Sequence, residues 1–452
     1  MKKLLYTFAL LVSSLYFVEA QTVLTLEECI NIALENNLDI KRARNNAISR
    51  KAGYTQSKMQ FLPSLSASAS HNWNEGLQFD QTTGNLVNTT TLSGGGTISG
   101  NFTIFNGFQN VYGVKRDRYL YEASQEQVRS NELATEASVV NGFLNIVNTR
   151  ENLRIQEQTN NLLKEQLERE EKREKAGVGN MEQVYNFRSQ VAQQELRIVN
   201  LKNQLQSAKL TLIQLLLLDP LDNYDFEGIT PEDAQLEAEV EEYQSVYTKA
   251  RDYSPALRSA QLNLEASKKS LKIAQFNWMP SVTLGASYGT GWSSNLKDPA
   301  DGSVLDPTTQ FQTNASKRAS FNLNIPLFTR FNNRTQMQQQ KISFLNAELS
   351  LQDTENTLRN NVQQAYLDLL NAKESYRAAK ESLLNLNTAF EFSKTRYENG
   401  TIDFVTYLVS LNGKNNGELE LTRAKYSILF RKLILDIYIG ELNLELDNFG
   451  LN

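Results

Sequence analysis

Phe61-Leu62-Pro63-Ser64-Leu65-Ser66-Ala67-Ser68-Ala69-Ser70 decides the architecture, because it returns as Trp278-Met279-Pro280-Ser281-Val282-Thr283-Leu284-Gly285-Ala286-Ser287. Each copy follows a helical segment. After each come a polar connection, a second alternating stretch, a very long helical segment and a Gly-containing break. An internal repeat governs architecture before any single residue does. The chain is therefore read as a first structural repeat at 21–228 and a second at 229–440. The first holds a helix, a β-hairpin at 64–105 and long helices to 218; the second holds a helix, a hairpin at 281–328 and long helices to 440. Residues 1–20 precede the repeats and a tail at 441–452 follows them.

Four segments alternate with period two. In Ser64–Trp73, Leu65, Ala67, Ala69 and Trp73 oppose a row of serines and Asn72. In Thr97–Phe105, Ile98, Phe102 and Ile104 oppose Thr97, Ser99, Asn101 and Thr103. Ser281–Trp292 and Ala319–Leu327 repeat the pattern. Side chains alternate faces along a strand, so each segment has one greasy face and one hydroxyl- or amide-lined face. Segments of about 9–11 residues suit a tilted strand crossing a bilayer. Phe61, Trp278, Phe105, Phe108, Phe328 and Phe331 flank them, as aromatic girdles flank outer-membrane barrels. The polar connections Asn74–Gly96 and Ser293–Ser316 are read as external loops. Four strands cannot close a bilayer barrel, and an open edge in hydrocarbon leaves backbone groups unsatisfied. The strands must then be shared between protomers, two copies giving eight and three giving twelve.

Between Tyr112 and Lys175 there is no proline and only two glycines, on the order of 95 Å of helix at 1.5 Å per residue. Asn332–Asn399 has neither residue. Val184, Val191, Ile198, Leu205 and Leu212 recur at seven-residue spacing, as do Val362, Leu369, Tyr376, Leu383 and Phe390. That period makes a supercoil seam. Two breaks interrupt the helices at equivalent places, Arg173–Asn180 and Arg396–Asp403, with Gly177 matching Gly400. Glycine ends a helix in the left-handed conformation, and Asn180 and Asp403 are suited to cap the helix that follows. The charged stretch Glu165–Lys175 reads as a solvated helix face.

Composition narrows the class further. The 452 residues carry 46 Lys plus Arg against 51 Asp plus Glu, a formal charge of -5, which argues against a nucleic-acid partner. Mean hydropathy is -0.45, so any membrane-embedded part is small or barrel-like. Lys2 and Lys3, the apolar run Leu4–Val18 and Ala20 read as a secretory signal peptide. The only cysteine, Cys29, lies among Leu26, Ile30 and Ala33 at helical spacing and reads as a small core residue. One His (His71) and one Cys build no usual zinc site. Gly94-Gly95-Gly96 lacks the lysine of a phosphate loop. No catalytic residues, metal site or cofactor site is assigned.

The signal peptide, Leu-Pro or Met-Pro before a strand, paired hairpins, very long helices, duplicated halves and the Tyr-x-x-Gly turn at Tyr397–Gly400 together resemble the TolC-like outer membrane efflux family. The resemblance covers about Leu24 to Gly440. It implies a mixed fold: a membrane β-barrel of twelve strands, four from each protomer of a homotrimer, joined to a barrel of coiled-coil helices. It also implies a belt around the tube from Leu218–Tyr247 and Ile439–Asn452. The location implied is the outer membrane of a Gram-negative bacterium, extending into the periplasm, with outer-membrane lipid around the barrel. The function implied is a passive exit duct of a tripartite efflux or type I secretion system. Its partners would be a periplasmic adaptor and an inner-membrane pump of RND, ABC or MFS type. Gly177, Gly179, Asn180, Gly400, Thr401 and Asp403 would sit at the periplasmic tip where the adaptor docks. Tyr397 matches the family tyrosine near that tip, and Arg396, Glu182, Asn186 and Val409 complete the gate candidates. Some members carry a carboxylate where this chain has Val409 and, in the first half, Asn186. The alternative reading is a non-transporting periplasmic or surface coiled-coil scaffold, which explains the seams but not the four strands.

Overall fold

A computed structural model describes residues 22–80, 84–219, 224–228, 236, 239–298 and 300–441. The signal peptide at 1–20, part of the belt segment after Leu218 and the tail beyond 441 fall outside the described residues. In chain order the elements are β1 (Thr22–Leu24), α1 (Leu26–Asn36), α2 (Leu38–Met59), β2 (Ser64–Asp80), β3 (Asn85–Asn106), α3 (Gln109–Lys175), α4 (Met181–Leu216), β4 (Tyr224–Phe226), α5 (Tyr243–Tyr253), α6 (Pro255–Gln275), β5 (Ser281–Ser293), α7 (Pro307–Thr313), β6 (Ser316–Asn324), α8 (Asn332–Glu398) and α9 (Phe404–Ile439). They group into two compact units. One gathers the chain up to Arg44, Glu126–Leu257 and the chain from Asp353; the other gathers Asn45–Gln125 and Arg258–Gln352. Each unit thus draws on both halves of the sequence.

The second unit holds an antiparallel sheet in the order β2-β3-β5-β6. Its register keeps the alternation in phase up to Thr103, where a shift passes over Ile104 and sets Phe105 opposite Val282. Leu65 pairs with Gly100, Ala67 with Ile98, Ile98 with Tyr288, and Leu284 with Phe321. Leu65, Ile98, Leu284, Tyr288 and Phe321 are all exposed. The opposite face aligns Ser66, Ser99 and Ser287, and the hydroxyls of Ser66 and Ser99 lie 2.9 Å apart. Edges β2 and β6 have no partner among the described residues.

Two expectations need correction here. β2 and β3 run 17 and 22 residues, and their pairing continues past Trp73↔Leu92 to Asp80↔Asn85. Most of Asn74–Gly96, read as an external loop, is therefore a two-stranded ribbon. Its threonines favour extended backbone, and a ladder satisfies N–H and C=O groups whatever the side chains are. β6, in contrast, stops at Asn324 rather than Leu327. Pro326 cannot donate to a ladder and restricts Ile325 before it. The connection from β5 to β6 is an ordered cap. Buried Gln310 on α7 accepts from Ser293 N–H at 2.8 Å and donates to the carbonyls of Ser293 and Leu305 at 3.0 and 2.7 Å.

Both strand-to-helix corners use adjacent left-handed residues: Gly107 and Phe108 (φ 64° and 61°), then Arg330 and Phe331 (φ 48° and 63°). For the non-glycine members that conformation costs roughly 1–2 kcal/mol each. Aromatic and amide contacts surround the first corner. Phe108 meets Phe105 edge-on at 5.2 Å, Tyr112 stacks on Phe276 at 5.4 Å, and Gln109 donates to Asn277 at 3.2 Å.

Among the described residues the first unit's regular elements are helices and the short parallel pair β1–β4. The two long helices have 67 residues each and the two that follow have 36 each. The heptad positions Val184, Val191, Ile198 and Leu212 are buried on α4, and Val362, Leu369, Tyr376 and Phe390 are buried on α8. Cys29, Phe143, Leu212, Phe226 and Phe430 share one core. Burial, then the neighbouring Glu28 carboxylate, pushes the Cys29 thiol up to about 12, so it stays protonated and inert, as the sequence suggested. Asp225 fastens β4 to the helices through Arg150 and Lys209, both at 2.7 Å. Burial works against its charge, but the Lys209, Phe226 N–H and Arg150 contacts hold its carboxyl below the usual range.

Candidate functional site

Helices α3 and α8 end in the same motif. Gly177 and Gly400 take φ of 76° and 73°. Gly177 N–H donates to Glu174 O at 2.9 Å and Val178 N–H to Arg173 O at 3.0 Å; Gly400 N–H donates to Tyr397 O and Thr401 N–H to Arg396 O, both at 2.9 Å. These paired bonds satisfy the last helical carbonyls. Thr401 adds its hydroxyl to Arg396 O at 2.9 Å. Each following helix is capped at once: Asn180 Oδ1 accepts from Glu182 N–H at 2.9 Å, and Asp403 Oδ1 from Thr406 N–H at 2.7 Å. Those bonds hold the Asp403 carboxyl below its ordinary range. Gly179 lies against the Arg173–Glu174 backbone, where a Cβ would come within 2.4 Å of Glu174 N. These residues are thereby turn and cap residues first.

Beneath the turns lies an aromatic cluster. Leu163, Phe187, Val191, Phe390, Tyr397, Phe404, Tyr407 and Leu411 are buried together. The Phe187 and Phe404 ring centres are 4.3 Å apart, and Tyr397 stacks on Tyr407 at 4.8 Å. The Tyr397 hydroxyl donates to Glu170 Oε1 at 3.4 Å. Glu170 is 1% exposed and receives Arg173 Nη1 at 3.2 Å, while its Oε2 and the Tyr407 hydroxyl have no hydrogen-bond partner among the described residues. Burial first, then the Glu170 carboxylate, raises the Tyr397 phenol well above its ordinary value; burial takes Tyr407 up to about 12. Arg169 and Glu398 add a bridge at 2.6 Å between α3 and α8.

Of the five gate candidates, only Tyr397 enters this cluster. Arg396 is exposed and its side chain joins no ion pair among the described residues. Glu182 and Asn186 are exposed and Val409 is 68% exposed. Adjacent helical residues point about 100° apart, and here Tyr397 is buried while Arg396 is exposed. Reading Glu165–Lys175 as a solvated face also missed Glu170. Its spacing of seven from Leu163, which is buried, was the available signal.

The outer membrane efflux protein family model matches residues 29–216 and again 246–440. The chain belongs to that family. Membership makes it an outer membrane efflux protein rather than an enzyme. It is 21% identical to outer membrane protein TolC of Salmonella enteritidis over 95% of this chain and 85% of that protein. It is 22% identical to TolC of Escherichia coli K12 over 44% of this chain and 40% of the relative, so that match spans less than half of the relative's length. Among solved structures it is similar to CusC, described for conformational changes accompanying folding and transmembrane channel formation. There the TM-score is 0.78 at 17% identity, covering 94% of this chain and 95% of that one. The likeness carries the fold: long helices joined to a strand unit.

Proposed function

We propose that three copies of this chain form a passive exit duct of a tripartite efflux system, running from the periplasm through the outer membrane. The observation that carries this reading is the sheet: four paired strands, one face exposed and apolar but for His71 and Lys317, the other serine, threonine, asparagine and glycine around Arg318 in its four-strand part, and two edges unpaired among the described residues. In lipid every backbone group needs a partner, so β2 of one copy would meet β6 of the next, and three copies would give twelve strands. The apolar faces would meet lipid and the polar faces a water-filled lumen. The first and second repeats, 21–228 and 229–440, would each supply one hairpin to the barrel and one helical hairpin to the periplasmic tube. A periplasmic adaptor would engage the turns at Gly177–Asn180 and Gly400–Asp403, and an inner-membrane pump of RND, ABC or MFS type would supply the energy. A free coiled-coil scaffold has no use for an exposed apolar sheet of this size.

Gating in this reading is a choice between two helix packings at the tip. The Tyr397–Glu170 bond, together with Arg169–Glu398, favours the packed one, and adaptor contact shifts the balance. A hydrogen bond to a charged group contributes about 1.5–3 kcal/mol, so Tyr397→Phe should raise the open-to-closed ratio about tenfold or more. Single-channel recording of purified protein in planar bilayers checks this. A Tyr397→Phe channel with unchanged open probability removes the latch; a wild-type protein that inserts but never conducts removes the duct.

A further inference from the structure

Over its four-strand part the sheet's polar face carries a single charge. Along β2, β3, β5 and β6, from the Ser64–Asn101 pair outward to Asn72–Ser93, that face is serine, threonine, asparagine and glycine, with Arg318 as the one exception. Arg318 lies opposite Ser287 on β6, in phase with Ser316, Ser320 and Asn322. It is exposed, and its guanidinium joins no ion pair or hydrogen bond among the described residues. The adjoining carboxylates are engaged locally. Asp298 accepts from Ala300 N–H at 2.8 Å, Asp301 from Ser303 N–H at 2.9 Å, and Asp306 from Thr308 N–H at 2.9 Å. Lys317, the next residue, faces the opposite side of the sheet.

We propose that Arg318 is a specificity-determining residue that makes the barrel prefer anionic solutes, those bearing carboxylate, sulfate or phosphate groups. This rests on the duct reading, in which the polar face lines the lumen. Three protomers would place three guanidinium groups on a wall otherwise neutral from the Ser64–Asn101 pair to the Asn72–Ser93 pair. Rings of charged side chains set the ionic preference of pores, and a low-dielectric wall focuses their field on the lumen. The guanidinium fork also matches carboxylate and phosphate oxygens two at a time, which a lysine ammonium does not. The small neighbours leave the arginine the longest side chain on its face, so a passing anion meets it without competing partners. Arg318 sits two residues from the start of β6, and its partner Ser287 lies mid-strand on β5, which continues to Ser293.

The experiment is reversal-potential measurement on purified full-length protein in planar bilayers under a tenfold KCl gradient. Wild-type channels should favour chloride. R318Q should lower the chloride-to-potassium permeability ratio about twofold or more, R318E should lower it further, and R318K should hold it near wild type. Equal ratios in wild type and R318Q overturn the proposal while leaving the duct intact. Absence of any wild-type conductance overturns the duct itself. A second reading needs no variant. Tripolyphosphate added to wild-type channels should block current at concentrations where spermine does not, and block by spermine alone contradicts the proposal.

Discussion

Ile98→Lys should prevent assembly, while Ser99→Lys, one residue along the same strand, should leave it intact. Ile98 is 52% exposed on the apolar face and pairs with Ala67 on one side and Tyr288 on the other. It lies near the middle of the Ser93–Asn101 stretch of β3, which has partners on both edges. A lysine facing lipid near the bilayer midplane costs about 2–4 kcal/mol per chain, and a symmetric assembly incurs it in every copy. Ser99 faces the hydroxyl row, beside Ser66, where water solvates an added ammonium. The two variants share strand, depth and chemistry and differ only in face. Heat-modifiable migration of membrane extracts reads the outcome: multimer for Ser99→Lys and none for Ile98→Lys. Equal tolerance of both would mean that the apolar face does not meet lipid.

Phe187→Ala should loosen the tip more than any other single truncation there. Phe187 is fully buried and touches Phe404 at 4.3 Å and Tyr397 at 6.4 Å between ring centres. Removing a buried phenylalanine costs about 3–5 kcal/mol through lost transfer energy and the cavity left behind. That cavity would undercut the Tyr397–Tyr407 stack and the Glu170 contact at once, because all belong to one cluster. Hydrogen exchange at the Gly177 and Gly400 turns should speed up on the order of a hundredfold. Val409→Ala, at a position 68% exposed, should change it little, within about 0.5 kcal/mol. Unchanged protection in Phe187→Ala would show that the turns are held from elsewhere.

The strands were legible because period-two alternation is local: Leu65, Ala67 and Ala69 against Ser64, Ser66 and Ser68 already define two faces, and register follows. The helix breaks were legible for the same reason, since Gly177 and Gly400 can take a left-handed conformation and Asn180 and Asp403 can accept from the following turn. The ribbon beyond Trp73 was hidden by composition, because threonine, asparagine and glycine suit a loop as well as a two-stranded ladder. Glu170 was hidden differently. Whether a carboxylate in a charged stretch is buried depends on what crosses it, and Tyr397 lies 227 residues away. The left-handed Phe108, Arg330 and Phe331 have no sequence cue at all. Those conformations are imposed where a strand must turn into a helix.

The central claim is that four strands per chain become a closed barrel only when copies combine in lipid. Native mass spectrometry of protein released from detergent micelles tests it most directly. The account predicts three chains per particle and loss of the protein from solution when detergent is withdrawn. A single chain that stays monodisperse in detergent-free buffer would contradict it.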